Sequence, residues 1–365
     1  MTLYHCSSCN QPYPESGLPH RCPNCGGVFT LSADIPYSEE SIDRNQPGIW
    51  AYQHTFGLGK GVPITSLGEG GTPLIQSIAS DRQIYFKLEF LNPSGSYKDR
   101  ATTILVSELL ARGVSSAVED SSGNAGASFA AYAARAIVSA RVFLPDYASG
   151  PKRTQIETYG AKAIPIKGPR SAASEAVIQA AKGGAYYASH ALLPFGLVGI
   201  ATIAYELLEQ LGQAPGTIVA PVGHGSLLLG VSKGFEALKA AGIINSSPQL
   251  VGVQARACAP IWARTTAAVS RSKRVEEGKT IAEGVRVSQP VRADELIKAV
   301  ASSHGSFLAV DEGNILSGRN ALAQMGFYVE PTSAIVWDAI KQLPNESPGP
   351  VVALLTGSGL KNVDK

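Results

Sequence analysis

The sequence predicts an α/β fold with two open domains, each built on a parallel sheet, behind a small cysteine-rich N-terminal segment. From Gly68 onward, short apolar runs bounded by glycine alternate with alanine-rich helical stretches. Strands that are buried on both faces and separated by helices are typical of parallel sheets with right-handed crossovers. The chain has 365 residues and an apolar share of 44%, which suffices for two domains of ordinary size.

The N-terminal segment carries four of the five cysteines as two C-x2-C pairs. Cys6 and Cys9 form the first pair, Cys22 and Cys25 form the second, and twelve residues separate them. Four thiolates at this spacing can surround a zinc ion tetrahedrally. We therefore predict a structural zinc ribbon over residues 1–30. Two disulfides, or a ribbon that has lost its metal, are the alternatives, and disulfides would require an oxidising compartment.

The elements of the main body follow in chain order. Residues 31–65 are rich in proline, serine and polar groups, and we expect a linker that packs against the body. Apolar runs predict strands at 84–90, 116–120, 140–145, 161–167, 216–223, 249–255 and 351–359. Helices are predicted at 101–112, from residue 125, at 152–159 and from residue 171.

Charge and hydropathy exclude several classes of partner. The chain has 31 basic and 29 acidic residues, a near balance that gives no electrostatic footprint for nucleic acid or an anionic membrane. The N-terminus lacks the pattern of a signal peptide, and the longest apolar run, 191–205, is interrupted by proline and glycine. These observations predict a cytoplasmic protein that acts on a small molecule, without a nucleic-acid or membrane partner.

Three glycine-rich loops follow predicted strands, where ligands of open α/β sheets bind. "DSSGNAG" at 120–126 offers hydroxyl and N–H groups to a carboxylate, although an N-cap with a turn would explain one serine. "PVGHGSL" at 221–227 can direct successive N–H groups at a phosphate. The loop lacks a Walker lysine, which disfavours ATP, and a following acidic residue, which disfavours NAD. "LTGSGL" at 355–360 carries hydroxyls in a similar setting.

One lysine, Lys98, lies in "NPSGSYKDR" (92–100), behind a Ser-Gly-Ser run and ahead of the first long helix. It could be a solvated charge, a phosphate ligand or a covalent catalyst. Pyridoxal phosphate requires a lysine for covalent attachment, an N–H cradle for its phosphate, partners for its ring and a carboxylate pocket for its amino-acid substrate. Lys98 and the three loops together can meet these requirements.

These motifs resemble, in order and over roughly residues 65–362, those of the fold-type II pyridoxal-phosphate enzymes related to the tryptophan synthase β-chain. Among these, the chain is most similar to the threonine synthases. "NPSGSYKDR" resembles their lysine motif "NPTGSFKDR", "SSGNAGAS" their asparagine loop, "PVGHGSLLLG" their phosphate loop and "LTGSGLKN" their terminal loop. An N-terminal zinc ribbon also occurs on some threonine synthases.

The resemblance implies a role for each motif. Lys98 would hold the cofactor and transfer protons, Asn124 would bind the ring hydroxyl oxygen and Thr356 would face the ring nitrogen. The phosphate would be bound by Gly223, His224, Gly225, Ser226 and Leu227. The substrate carboxylate would be bound by Ser121, Ser122, Gly123, Asn124 and Ala125.

One segment departs from the threonine synthase pattern. Where these enzymes tend to carry "NPxRxEGQKT", this chain reads "LPFGLVGIAT" (193–202), so that Gly196, Val198 and Ala201 replace an arginine, a glutamate and a lysine. The arginine binds the substrate phosphate in the resembled enzymes, and a bidentate guanidinium contributes strongly to such recognition.

The sequence therefore predicts a homodimeric enzyme with three parts: the ribbon at 1–30, a large cofactor-binding domain at 31–100 and 200–365, and a smaller domain at 101–199. The cofactor is expected in the cleft between the two domains. The leading hypothesis is threonine synthase, which converts O-phosphohomoserine to threonine and phosphate. Alternatives are a threonine or serine ammonia-lyase, a β-replacement enzyme of cysteine synthase type and an inactive binding protein.

Overall fold

The computed structural model describes residues 3–32, 34–59, 61–79, 82–148, 150–168, 170–266 and 278–362. The described chain forms two compact units. Unit 1 comprises residues 3–70, 92–200 and 361–362, and unit 2 comprises residues 71–91 and 201–360. No helix within the described residues is both long enough and apolar enough to cross a membrane.

Unit 1 contains a short antiparallel hairpin and a four-stranded parallel sheet. The hairpin consists of β1 (Tyr4–Cys6) and β2 (Phe29–Leu31). The sheet has the order β7-β6-β5-β8, formed by β5 (Ser116–Glu119), β6 (Ser139–Pro145), β7 (Lys162–Ile166) and β8 (Tyr186–Tyr187). Its helices are α1 (Lys98–Ala111), α2 (Asn124–Arg135), α3 (Pro151–Thr158), α4 (Arg170–Lys182) and the start of α5 (Gly196–Leu211).

Unit 2 is built on a six-stranded sheet with the order β11-β10-β9-β12-β4-β3. Its strands are β3 (Leu74–Ala79), β4 (Arg82–Lys87), β9 (Thr217–Pro221), β10 (Gln249–Ala255), β11 (Ser306–Val310) and β12 (Val351–Leu354). Its helices, besides the remainder of α5, are α6 (Ser226–Ala240), α7 (Pro260–Thr265), α8 (Ala293–Ser302), α9 (Glu312–Gln324) and α10 (Pro331–Gln342). All strand pairs are parallel except the edge pair of β3 and β4.

The core of unit 2 explains why its central strands read as continuous apolar runs. Every residue of β9 and β12 is buried, as expected for strands covered on both faces. Side chains of the sheet pack with those of α9 and α10, and the rings of Phe86 and Phe327 lie 5.2 Å apart. The predicted α/β class with parallel sheets is confirmed. The antiparallel edge strand β3, the short strand β8 and the edge strand β11 were not predicted.

Unit 2 also encloses a buried ion pair. Lys87, at the end of β4, is fully buried, and its Nζ lies 2.6 Å from Oε2 of Glu206. The same Nζ donates to the carbonyl oxygen of Thr72 and to Oε1 of Gln210, at 2.7 Å and 2.9 Å. These contacts offset the free-energy cost of burying the Lys87 ammonium group.

The compact units differ from the predicted domains in the placement of residues 31–70, 92–100, 200 and 361–362. These residues were predicted in the large domain but lie in unit 1. Buried Glu69 joins residues 31–70 to unit 1. Its carboxylate accepts hydrogen bonds from Trp50 Nε1 at 2.8 Å and from the hydroxyl of Tyr132 in α2 at 2.7 Å. The segment predicted as a linker is thus tied to a helix of unit 1.

Helices α1 and α5 approach each other closely at two glycines. A Cβ atom at Gly199 would lie 1.9 Å from the carbonyl oxygen of Arg100, and one at Gly196 would lie 2.6 Å from the Cβ of Ala101. The start of α5 therefore packs directly on the first turn of α1. Because that turn begins with Lys98, the two glycines help to set the position of the helix that carries the lysine.

We expect Gly199→Ala to lower the free energy of unfolding by about 3 kcal/mol, since the added methyl group must separate α1 from α5. Gly313→Ala is the matched control, because Gly313 also lies in a helix but has no atom within 4 Å of its ideal Cβ. This control should be neutral or stabilising by up to about 1 kcal/mol. Urea denaturation of both variants measures the difference, and equal stabilities would contradict the close packing.

Candidate functional site

Lys98 begins α1, and the loop before it is fixed by the neighbouring Asp99. The Asp99 carboxylate is fully buried and accepts hydrogen bonds from the N–H and hydroxyl of Ser94 and from the hydroxyl of Ser128 in α2. The carbonyl oxygen of Ser94 accepts from Lys361 Nζ at 2.7 Å. The loop is thus held at the N–H, the hydroxyl and the carbonyl oxygen of Ser94, so that the direction in which the chain enters α1 is fixed.

The Lys98 side chain lies beside an aromatic ring at this entrance. Its Nζ is 4.8 Å from the centroid of the Tyr97 ring, and both residues are partly exposed. Gly95, within the Ser-Gly-Ser run, has a φ of +85°, a conformation that favours glycine. Lys98 therefore presents a partly accessible amine at the N-terminus of α1.

The predicted asparagine loop, Ser121 to Ala125, connects β5 to α2. Asn124 is the first residue of α2, and the hydroxyl of Ser121 accepts a hydrogen bond from Gly123 N–H at 3.2 Å. A Cβ atom at Gly126 would lie 1.8 Å from the carbonyl oxygen of Ser121, which explains the glycine at that position. Ser121 and Ala125 are buried, whereas Ser122, Gly123 and Asn124 are partly exposed and accessible to a ligand.

In unit 2, the predicted phosphate loop Gly223 to Leu227 connects β9 to α6. Gly225 has a φ of +98° and caps α6, a helix of 15 residues that begins at Ser226. The first N–H groups of such a helix have no partner within the helix and attract anions. A Cβ atom at Gly223 would lie 2.7 Å from the carbonyl oxygen of Gly284, so the loop passes close to a second backbone segment. This geometry fits a phosphate group.

Thr356 follows β12 in unit 2 and lies in a neutral hydroxyl pair. It is 2% exposed, and its Oγ1 lies 3.0 Å from the hydroxyl of Ser333. Ser333 also accepts a hydrogen bond from Gly357 N–H at 2.8 Å. Ser333 was not predicted. It lies in the first turn of α10, in the segment "EPTSA" (330–334). A hydroxyl pair fits a neutral aromatic nitrogen better than a pyridinium, which would favour a carboxylate partner.

The structure thus groups the predicted site residues within each unit. Unit 1 holds Lys98 and the loop from Ser121 to Ala125, and unit 2 holds the loop from Gly223 to Leu227 and Thr356. A third group in unit 1 was not predicted. Glu119 and Asp120, at the end of β5, lie near His190, and one carboxylate oxygen or ring nitrogen from each residue lies within 4.8 Å of the others. Only the pairing of β5 with β8 brings His190 to this point, so the linear sequence offers no direct signal.

The segment that departs from the family pattern is closely packed. The Cβ contact of Gly196 with Ala101 leaves no room there for an arginine side chain on this backbone. Val198 and Ala201 are fully buried in α5. The three replacements therefore fit the helix packing and leave no charged group at these positions.

The four N-terminal cysteines converge, as their spacing predicted. Cys6 Sγ lies 3.5 Å from Cys25 Sγ, and Cys9 Sγ lies 3.6 Å from Cys22 Sγ. A zinc ion bonded to four tetrahedral sulfurs at about 2.3 Å would hold them roughly 3.8 Å apart, so the donor set fits zinc. A Cβ atom at Gly27 would lie 2.8 Å from Cys6 Sγ, which explains the glycine after the second pair.

The cysteine segment is attached to the body of unit 1. The guanidinium of Arg112, which follows α1, donates to the carbonyl oxygens of Pro14, Glu15 and Gly17 at 2.9–3.0 Å. The ring of Tyr13 lies 4.9 Å from that of Phe195, directly before α5. The segment therefore packs on the helices that begin at Lys98 and at Gly196.

Comparison with known proteins identifies clear similarities. The family model described as "Pyridoxal-phosphate dependent enzyme" matches residues 65–357. Threonine synthase of Methanocaldococcus jannaschii is 34% identical over 99% of this chain and 93% of its own length. Threonine synthase of Methanosarcina acetivorans is 30% identical, with the same two shares.

Solved structures share the fold at lower identity. Maize serine racemase matches with a TM-score of 0.66 and 23% identity, over 80% of this chain and 88% of that one. The O-acetylserine-dependent cystathionine β-synthase of Helicobacter pylori matches with a TM-score of 0.67 and 23% identity, over 81% of this chain and 95% of that one. These matches support the α/β architecture described above.

The buried Asp99 carboxyl predicts a specific pH dependence of stability. Burial raises its pKa from 3.8 to about 6, although hydrogen bonds from Ser128 and Ser94 oppose the shift. The folded protein therefore holds this proton at pH values where the unfolded chain has lost it. The stabilisation is complete below about pH 4 and is lost as the pH rises through 6, by up to about 3 kcal/mol.

We expect the difference in unfolding free energy between the wild type and Asp99→Asn to fall by this amount between pH 4 and pH 7. Urea denaturation at several pH values measures the difference. Asp146→Asn is the control, because the Asp146 side chain is exposed. A difference that increases with pH would contradict the raised pKa of Asp99.

Proposed function

Because the chain belongs to the family of pyridoxal-phosphate dependent enzymes, we propose that it catalyses a threonine synthase-type elimination and replacement on an amino-acid substrate. The observation that carries the proposal is the similarity to threonine synthases along nearly the whole chain, at 34% identity for the Methanocaldococcus jannaschii enzyme. The proposed reaction converts O-phosphohomoserine and water to threonine and phosphate.

The cofactor, when bound, supplies an electron sink that stabilises the electron pair left on the substrate when a proton is removed. Lys98 would hold the cofactor covalently and, once released, would move the α-proton. Its place on the first turn of α1, fixed by Asp99, would keep the amine aligned with the reacting carbon. The partly exposed Ser122, Gly123 and Asn124 would bind the substrate carboxylate and the ring oxygen.

The remaining groups of the cofactor match the polar groups of unit 2. A single pyridoxal phosphate carries both an aldehyde and a phosphate, so we propose that Lys98 and the loop from Gly223 to Leu227 hold the same molecule. The helix N-terminus of α6 would compensate the phosphate charge. Thr356, supported by Ser333, would face the ring nitrogen with a hydroxyl, which leaves the ring less protonated and favours elimination and replacement over transamination.

A second candidate function follows from the start of α5. Gly196 and Val198 replace the arginine and glutamate expected of a threonine synthase, and the contact of Gly196 with Ala101 excludes a longer side chain at position 196. This observation favours a substrate without a phosphate, as in a threonine or serine ammonia-lyase or a β-replacement enzyme. An inactive binding protein is less well supported, because Lys98 is present.

We further propose that Cys6, Cys9, Cys22 and Cys25 hold a structural zinc ion, since their sulfurs already lie close to tetrahedral separations. The ion would fold the segment that packs on Arg112 and Phe195. A homodimer in the cytoplasm remains part of the proposal, on the basis of the sequence alone.

Lys98→Ala should lose the visible absorbance of the lysine-bound cofactor and lower kcat by about 10³-fold or more, because both attachment and proton transfer depend on this amine. Lys182→Ala, at an exposed position of α4, is the control and should resemble the wild type. Absorbance spectra and turnover of the same preparations provide the measurements. A wild-type protein that stays colourless with added cofactor would refute the enzyme proposal.

An assay panel separates the two candidate functions. The purified enzyme is incubated with O-phosphohomoserine, threonine, serine and O-acetylserine, and phosphate, threonine, 2-oxo acid and replacement products are measured. Threonine synthase activity predicts phosphate and threonine in equal amounts from O-phosphohomoserine. Release of a 2-oxo acid from threonine or serine, without turnover of O-phosphohomoserine, would favour the lyase instead.

Elemental analysis tests the metal site. The purified protein should contain one zinc ion per chain, and Cys9→Ser should lose most of it, because three sulfurs leave the tetrahedral site open. Cys258→Ala is the control, since Cys258 lies outside the cluster of four. Equal zinc content in both variants would contradict a four-cysteine site.

A further inference from the structure

Glu119 and His190 lie at the carboxyl ends of two neighbouring parallel strands of unit 1. Glu119 is the last residue of β5, and the loop that begins at Ser121 follows two residues later. His190 follows β8, the strand that pairs with β5. Ligands of open α/β sheets bind at this edge. The two side chains therefore lie where the predicted carboxylate-binding loop begins.

The two side chains are in direct contact. Oε1 of Glu119 and Nδ1 of His190 form a short hydrogen bond. Glu119 is fully buried, and its second oxygen, Oε2, has no hydrogen-bond partner among the residues that the structure describes. A buried carboxyl oxygen without a partner costs free energy, and such groups are found at functional sites.

Four charged or titratable groups face this pair, namely Lys98, Asp120, Arg170 and Tyr187. Burial and the charge of Asp120 raise the pKa of the Glu119 carboxyl well above its usual value, while a hydrogen bond from the Asp120 backbone and the charges of Lys98 and Arg170 act in the opposite direction. Burial and then the charge of Lys98 lower the pKa of His190 to about 3. Both directions favour a neutral pair. The charge of Lys98 acts on both groups.

Proton transfer from this pair to a ligand requires one arrangement of its protons. In it, the Glu119 carboxyl donates its proton to Nδ1, and the neutral ring of His190 carries its own proton on Nε2. Asp120 does not compete for this role, because its two oxygens accept hydrogen bonds from Ser174 at 2.5 Å and Tyr187 at 2.7 Å. The direct contact of Glu119 with His190 also leaves no space for a metal ion between them.

We propose that Glu119 and His190 act as a second acid–base pair of the site, beside Lys98, and that the pair protonates the oxygen atom that leaves the substrate. The inference rests on the proposed function, because it requires an amino-acid substrate whose leaving group is bonded through oxygen. His190 gives the proton from Nε2, and Glu119 acts through His190 by supplying a proton to Nδ1.

The proton transfers balance within one turnover. When the bond between carbon and the leaving oxygen breaks, its electron pair stays on the oxygen, which takes the proton from Nε2. The Glu119 proton moves to Nδ1, so that the pair becomes a carboxylate beside a neutral ring with a bare Nε2. The water that adds to the substrate carbon gives its proton to Nε2, and Nδ1 returns its proton to Glu119.

Glu119→Gln tests this role with little change in shape. The carboxamide can still donate a hydrogen bond to Nδ1, but it cannot transfer a proton. With the oxygen-linked substrate that the wild-type holoenzyme converts best, we expect kcat to fall by about 10²-fold in Glu119→Gln and in His190→Gln. With the chloride analogue of the same substrate, both variants should remain within about threefold of the wild type, because a leaving chloride needs no proton. Glu175→Gln, at an exposed position of α4, is the control.

Three further outcomes separate a proton-donating role of the pair from a structural role and from a failure of the proposed function. Exchange of the substrate α-proton with deuterium from the solvent should persist in both variants, because Lys98 performs this step. Equal losses with the oxygen and chloride substrates would indicate a structural role and overturn the inference. A wild-type enzyme that converts neither substrate would instead refute the proposed function on which the inference rests.

The proton on Nε2 can also be observed without the cofactor. In cofactor-free protein at pH 7, the ¹⁵N chemical shift of His190 Nε2 should be that of a protonated nitrogen, with His190→Gln used for assignment. A bare Nε2 under these conditions would overturn the inference, since the ring would have no proton to donate.

Discussion

The buried carboxylate of Asp99 is the interaction on which the arrangement around Lys98 depends. It accepts hydrogen bonds from Ser94 in the preceding loop and from Ser128 in α2. One side chain therefore connects the loop, the start of α1 and the start of α2, the helix that follows the asparagine loop. An aspartate in this environment is costly to ionise, and its hydrogen bonds offset part of that cost. Lys98 gains a fixed direction from this arrangement without being buried itself.

Burial of polar groups continues along the same edge of the unit 1 sheet. Glu119 is buried at the end of β5, and Asp120 is held by Ser174 and Tyr187. Such groups make an interior less stable than apolar side chains of the same size. Their position at the carboxyl end of β5, where ligands of open α/β sheets bind, is consistent with a site in which proton transfer takes precedence over stability. The buried Lys87–Glu206 pair of unit 2 has all its charges compensated by close partners, and it fits a structural role instead.

The start of α5 links the fold to the proposal about the substrate. Gly196 and Gly199 allow α5 to pack on the first turn of α1, and this packing excludes the arginine that a phosphate-binding site would use at position 196. The cysteine segment packs on Phe195 and on Arg112, at the beginning of α5 and the end of α1. Changes in this region would therefore affect both the helix that carries Lys98 and the space open to a substrate. The proton-donating pair proposed beside Lys98 would serve either a phosphate or a hydroxyl leaving group.

Much of the site could be predicted from local motifs. The lysine, the asparagine loop and the glycine loop each consist of consecutive residues, and their conformations follow from glycine, helix N-termini and strand ends. The four cysteines likewise specify their cluster by spacing. Ser333 and His190 could not be found in this way, because each reaches its position only through the packing of α10 or the pairing of β8 with β5. The placement of residues 31–70 in unit 1 also depends on a distant contact, from Glu69 to Tyr132.

The sequence by itself determined the α/β class, most of the parallel strands, helices α1 to α4, the family and the residues proposed to hold the cofactor, since these depend on short-range patterns. Only the tertiary structure decided which side chains surround Lys98. The contact between Glu119 and His190 joins residues 71 positions apart, and the exclusion of a side chain at Gly196 depends on the distance between two helices. Local propensity sets neither of them, because both arise from the way in which separate segments share a buried volume. For "NPSGSYKDR", the sequence identified the lysine, and the fold buried the aspartate that follows it.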